Sequence, residues 1–175
     1  MRNLESIQQL EKLCADIKSI KNVKKIIEIG SYMGESSAIF AKNFPNAKII
    51  CIDPWEKNYD ELDPTSFSDF EDVEKQFDLR KNLFDNIEKR KGYSLEFKEI
   101  ADFVYIDGCH KYECVKEDLI HWKNYTDLIG GHDFIEDDNF LKDHIHIIDV
   151  KKAVLEIVGQ PDKIYLDGSW IKKIK

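Results

Sequence analysis

Hydrophobic positions along this chain keep two periods. Leu4, Ile7, Leu10, Cys14 and Ile17 recur at helical spacing behind Asn3, a residue type that caps helix N-termini, so residues 1–23 predict an opening helix packed on the remainder. Ile26, Ile27 and Ile29 then form a β-branched run with no polar face, as in a strand covered on both sides of a parallel sheet. The run ends among Glu28, Gly30 and Gly34, after which Ser36 opens an apolar helix through Ala38, Ile39 and Ala41 that stops at Phe44-Pro45-Asn46. Lys48 to Ile52 repeats the buried-strand pattern and delivers Asp53-Pro54-Trp55.

Periodicity lapses from Trp55 to Phe67, where Trp55, Tyr59 and Phe67 stand among acids. A loop of this length predicts a lid, a binding loop or disorder, and residues 55–77 are candidates either for the wall of an acceptor site or for plain packing. Ser68-Asp69-Phe70-Glu71 predicts a capping box, followed by a helical stripe of Phe70, Val73, Phe77, Leu83 and Phe84. Ile87 to Lys91 is polar enough only for an edge strand and leads to Gly92-Tyr93-Ser94. Asp102 to Ile106 is a further apolar strand running into Asp107-Gly108-Cys109-His110, with Tyr112, Val115, Leu119 and Trp122 helical behind it. Leu128 and Ile129 begin a strand ending in Gly130-Gly131-His132-Asp133. A polar loop with His144 and His146 precedes a helix capped by Asp149, with Val150, Ala153, Val154 and Ile157 inward. Lys163 to Leu166 and Trp170 to Ile174 flank Asp167-Gly168 as a hairpin. Strands alternating with helices and finishing in an antiparallel pair predict an α/β, doubly wound fold over one domain, residues 1–175.

Composition narrows the partners. A net charge of −8 with acids and bases interleaved disfavours a nucleic-acid partner, and no apolar run reaches membrane-spanning length. Cys14, Cys51, Cys109 and Cys114 are scattered with no signal peptide, which favours free thiols and a cytoplasmic location; oligomeric state is not encoded in any visible pattern.

Ligands of open α/β sheets bind beyond the C-terminal ends of the strands. Glu28, Asp53, Ser94, Asp107, His110, His132 and Asp133 all fall at such ends. The Gly30–Gly34 turn into a helix lets a ligand approach the backbone and offers free N–H groups to an anion, while an acid at Asp53 can accept from both hydroxyls of a ribose. Together they predict a nucleoside cofactor. A dinucleotide site needs G-x-G-x-x-G, whereas Gly30-Ser31-Tyr32-Met33-Gly34 keeps a side chain where the diphosphate would press.

The stretch EIGSYMGES, with CIDPW, DFVYIDGCHKYECVKEDL and GGHDF, resembles class I S-adenosylmethionine-dependent methyltransferases. The likeness is to short small-molecule O-methyltransferases with catechol O-methyltransferase-like motifs. It implies a mostly parallel seven-stranded, Rossmann-like sheet whose last strand is antiparallel, and methylation of a small hydroxylated acceptor such as a sugar or natural product. It places Glu28, Gly30, Ser31, Tyr32, Gly34 and Ser36 around the methionine end of S-adenosylmethionine, Asp53 on the ribose, and Pro54, Trp55, Tyr93 and Ser94 around the adenine, with Asp107 beside the cofactor.

Methyl transfer needs alignment and a deprotonated nucleophile. His110, three residues after Asp107, is the candidate base as a neutral imidazole. Asp107, His132 and Asp133 match the positions that bind a divalent metal in catechol-type enzymes, although a histidine departs from the oxygen set magnesium prefers, which leaves open a borderline metal or none. The same residues also permit a nicotinamide-dependent oxidoreductase, a metal-dependent hydrolase or a non-catalytic cofactor-binding module.

Overall fold

The β-branched run becomes β1 (Lys25–Ile29), and it has no polar face because helices cover it twice. Ile26 packs with Leu10, Leu13, Ile17 and Phe40 on one side of the sheet. Ile27 and Ile29 pack with Val115, Leu119, Trp122 and Val154 on the other. Full burial of one such side chain stabilises the fold by about 1.5–3 kcal/mol.

The computed structural model describes residues 3–174, without the side chains of Asp138 and Asn139, so the first two positions of the expected opening helix lie outside the described residues. Around β1 run α1 (Leu4–Ile20), α2 (Glu35–Asn43), β2 (Lys48–Asp53), α3 (Phe70–Lys81), β3 (Ile87–Lys91), β4 (Phe103–Ile106), α4 (Tyr112–Trp122) and β5 (Leu128–Gly131). The chain finishes with α5 (Asp138–Asp143), α6 (Ile148–Ile157), β6 (Lys163–Ile164) and β7 (Trp170–Lys173). The seven strands lie in the order β3-β2-β1-β4-β5-β7-β6. Strands β1 to β5 are parallel. β7 pairs antiparallel with β5 and with β6. This is the doubly wound sheet with an antiparallel close that the pattern predicts.

Strand order reverses between β1 and β4, which makes the crevice there the expected place for a ligand. Register does the rest. Ile29 pairs with both Ile52 and Ile106, and Ile106 pairs with Gly131, so Gly30, Asp53, Asp107 and His132 emerge at one level.

Local expectations fail in four places. The cap of α3 is Asp69, whose carboxylate accepts from the N–H groups of Glu71 and Asp72, and Ser68 instead meets the Tyr32 hydroxyl at 3.0 Å. Leu83 belongs to no stripe, because α3 stops at Lys81 and leaves it 76% exposed. Asp149 lies inside the first turn of α6 rather than capping it. The polar loop before α6 carries α5 and a short 3₁₀ turn at Ile145–Ile147. Edge strand β3 tolerates its charges by pairing them: Lys89 with Glu74 and Asp78, and Arg90 with Glu88 and Glu99. No described helix is long and apolar enough to cross a membrane.

Candidate functional site

The turn after β1 is built around a single carboxylate. Tyr32 and Trp55 both take left-handed backbone conformations, with φ of 46° and 48°, each of which costs about 1–3 kcal/mol for a non-glycine residue. Asp53 holds both: Oδ2 accepts from the Tyr32 N–H at 2.9 Å and Oδ1 from the Trp55 N–H at 2.6 Å. The Trp55 indole N–H then donates to the Tyr32 carbonyl at 2.9 Å. Burial pushes the Asp53 carboxyl up, and the backbone N–H groups pull it back.

Gly30 serves the sheet as well as any ligand. At φ 80° a Cβ there would run into the carbonyl of Asp107 and the Cα of Gly108, so the β1 and β4 turns can touch only if this residue is glycine. Gly34, also left-handed, ends the turn against the Phe77 ring. Beneath it Glu28 is fully buried, accepting from the hydroxyls of Ser31 and Ser37 while its Oε1 has no partner. Burial raises its carboxyl above the ordinary range.

Two clefts open at this rim. The longer, about 560 Å³, runs from Gly30, Tyr32 and Asp107 past Asp53 and Pro54 to Tyr93, Ser94 and Asp118. The second, about 400 Å³, is polar and includes Ser31, Ser36, Asp63, His110, His132 and Asp133. Gly30, Tyr32, Asp107 and Gly108 line both.

Charges concentrate in the polar cleft. His110 Nε2 lies 3.0 Å from Asp133 Oδ2, and His132 Nδ1 lies 2.9 Å from Asp133 Oδ1. His110 Nδ1 sits 3.4 Å from Asp63 Oδ2, an ion-pair contact rather than a hydrogen bond. Burial alone would lower the His110 imidazole, but the carboxylates of Asp133, Asp63 and Asp107 outweigh it and push it up to about 10. Burial would likewise raise Asp133, yet His132 and His110 hold it well below the carboxylate range. Asp133 also occupies the left-handed region, at φ 62°, where a short polar side chain is tolerated best.

Most of the sequence-derived residues line one of the two clefts, and a few lie elsewhere. Trp55, expected beside the adenine, lines neither cleft: it is 3% exposed, packed on Phe77 at 4.8 Å with the Lys89 ammonium over its ring. The left-handed turn at Trp55 swings the ring into the core. Glu28 and Gly34 support the turn from behind and line neither cleft. His110 lies between the carboxylates of Asp63 and Asp133, which favour its protonated form over the neutral imidazole expected of a base. The donor atoms that gather within 4.8 Å of one another belong to Asp107, His110 and Asp133. His132 Nδ1 stands 3.7 Å from Asp107 and is turned toward Asp133. Sequence reasoning took Asp63, Tyr59 and Thr65 only as part of the 55–77 candidate wall, and assigned no site role to His146, Cys109, Cys114 or Asp118. The first three lie in the aperiodic loop, whose hydrogen bonds, Tyr59 hydroxyl to Asp63 at 2.8 Å and Thr65 N–H to Asp63 at 2.8 Å, no periodicity signals. Asp118 had a signal: an acid on the buried face of α4.

Comparison with known proteins agrees with this architecture. Residues 27–134 match the family model described as a methyltransferase domain. Among solved structures, the O-methyltransferase from Bacillus cereus in complex with SAH is similar at 16% identity and a TM-score of 0.67, over 100% of this chain and 83% of that one. Cofactor-bound Rv0187 from MTB is similar at 17% identity and a TM-score of 0.65, over 95% of this chain and 79% of that one. No curated protein matches the chain. With the family model covering more than half of its length, including the β1 turn and the Asp107–Asp133 rim, the chain belongs to the methyltransferase-domain family.

Proposed function

We propose that this chain transfers the methyl group of S-adenosylmethionine to a hydroxyl of a small acceptor. The observation that carries the proposal is the pair of clefts sharing Gly30, Tyr32, Asp107 and Gly108, since a donor in one and an acceptor in the other meet at that junction. A neighbour crystallised with SAH and named an O-methyltransferase supports the same assignment.

In this arrangement Asp53 receives the ribose hydroxyls on the lone pairs its two backbone N–H contacts leave free. Pro54, Tyr93 and Ser94 flank the adenine. Gly30, Ser31, Tyr32 and Ser36 surround the methionine end, where the N-terminus of α2 offers N–H groups to its carboxylate. As the acceptor oxygen attacks the methyl carbon, the carbon–sulfur bond breaks and the acceptor's proton leaves. Asp107, common to both clefts, is the carboxylate placed to take it. His110, protonated between Asp63 and Asp133, orients these carboxylates rather than accepting a proton.

Asp107, His110 and Asp133 would also hold a divalent cation, and their mixed oxygen and nitrogen set suits a first-row metal better than magnesium. Such an ion would supply Lewis acidity that lowers the acceptor hydroxyl's pKa, and it would compete with the proton on His110. Glu35, Asp63, Asp107 and Asp133 line the polar cleft, and no lysine or arginine does so among the described residues. That charge favours a neutral or cationic hydroxylated acceptor over a carboxylated or phosphorylated one.

Calorimetric titration with S-adenosylhomocysteine tests the proposal. A saturable isotherm is expected, and the absence of binding at millimolar ligand ends it.

A further inference from the structure

The far end of the long cleft holds a carboxylate that the catalytic scheme does not use. Asp118 lies in the middle of α4, is 8% exposed, and still lines the cleft. Aspartate is a poor residue for a helix interior, and an unpaired buried charge is costly, so its place needs a reason. Among the described residues no cation pairs with it. Its partner is the Ser94 hydroxyl, which donates to it while accepting the Trp122 indole N–H at 2.7 Å. This chain of hydrogen bonds joins the loop after β3 to α4 and shuts that end of the cleft. Pro54 and Leu95, from the β2 and β3 side, and Cys109 and Cys114, from the β4 and α4 side, make its other lining largely apolar. A flat heterocycle fits between such walls, and while the carboxylates of Glu56 and Glu117 on the cleft's lip are exposed to solvent, that of Asp118 is buried and keeps lone pairs beyond the one Ser94 occupies. Burial also raises this carboxyl to about 6, consistent with a group that gains from a further donor.

We propose that Asp118 is the residue that selects adenine, its carboxylate accepting a hydrogen bond from the exocyclic 6-amino group of the cofactor's purine. This rests on the cofactor assignment made above. A 6-oxo purine presents an acceptor at the same place and leaves two oxygens opposed, and a site built around one polar partner rejects the analogue that lacks its complement.

The test compares S-adenosylhomocysteine with its deaminated form, S-inosylhomocysteine, by calorimetry on the wild-type chain and on Asp118→Asn, with melting midpoints recorded for both proteins. The wild type is expected to prefer the adenine form by about tenfold or more. Asp118→Asn, whose Oδ1 keeps the Ser94 hydroxyl and so turns its amide N–H toward the purine, is expected to erase or reverse that preference at an unchanged melting midpoint. Equal wild-type affinities, or a wild-type preference retained in Asp118→Asn, overturn the assignment. Equal weakening of both ligands, with a lowered midpoint, makes Asp118 merely structural and overturns it too. Failure of the wild type to bind either compound refutes the cofactor assignment itself, a different result from loss of selectivity.

Discussion

Between β1 and β2 the rim is held by the backbone. Asp53 takes two main-chain N–H groups, Tyr32 and Trp55 sit in left-handed conformations, and Gly30 lets two turns touch. Between β4 and β5 it is held by side-chain charge: Asp133 bridges His110 and His132, with Asp63 reaching in from the loop before α3. The first half has a fixed shape and stores strain that its hydrogen bonds offset. The second half has fixed charges whose positions depend on protonation. A cofactor that must be held in one pose suits the former, and an acceptor that must give up a proton suits the latter.

The largest effect is expected from breaking the fixed shape. Gly30→Ala drives a Cβ into the Asp107 turn at a left-handed φ, and should cost about 3 kcal/mol or more in urea unfolding. Gly108→Ala, whose Cβ would meet Ile29 at an ordinary 3.7 Å, should cost less than about 1 kcal/mol. If the two variants unfold alike, the close approach of the turns does not hold this half together.

Asp53→Ala comes next. It strands the Tyr32 and Trp55 N–H groups and should lower stability by about 2–3 kcal/mol while abolishing S-adenosylhomocysteine binding. Unchanged stability with lost binding would mean that the carboxylate serves the ligand and not the turn.

In the charged half the effect is smaller and depends on pH. The folded His110 titrates above its unfolded value of about 6.5, so its proton contributes fully below that value and its contribution is lost as pH rises toward about 10. Asp133, held low, contributes above the carboxylate range and loses its contribution on acidification below it. Asparagine keeps the left-handed backbone and His110 can shed its proton once this buried partner is neutral, so Asp133→Asn should lower neutral stability by about 2 kcal/mol. In chelator-treated protein it should also flatten the alkaline fall in melting midpoint and lower the His110 titration followed by NMR. A His110 titration that does not move would show that Asp133 is not its main partner.

How far the chain could be understood before folding differs between these halves. The sheet was legible because its signals are local: Ile26, Ile27 and Ile29 have no polar face, and Asp53 and Asp107 follow apolar runs directly. The fate of Trp55 was not, since a tryptophan one turn beyond a strand is equally suited to a ligand wall and to the core, and the sign of one φ angle decides between them. Nor was the protonation of His110. The carboxylates that favour its protonated form, Asp63 and Asp133, lie 47 residues before it in an aperiodic loop and 23 after it.

By itself the sequence determined the strand and helix order, the level at which the polar residues emerge, and the glycine turn at Gly30, because hydrophobic period and glycine position act over a few residues. Tertiary structure alone decided which side chains share a cleft, which histidine joins Asp107 and Asp133, and where Asp118 points. Those outcomes come from packing between elements distant along the chain, and the burial that packing imposes sets the charge each group carries.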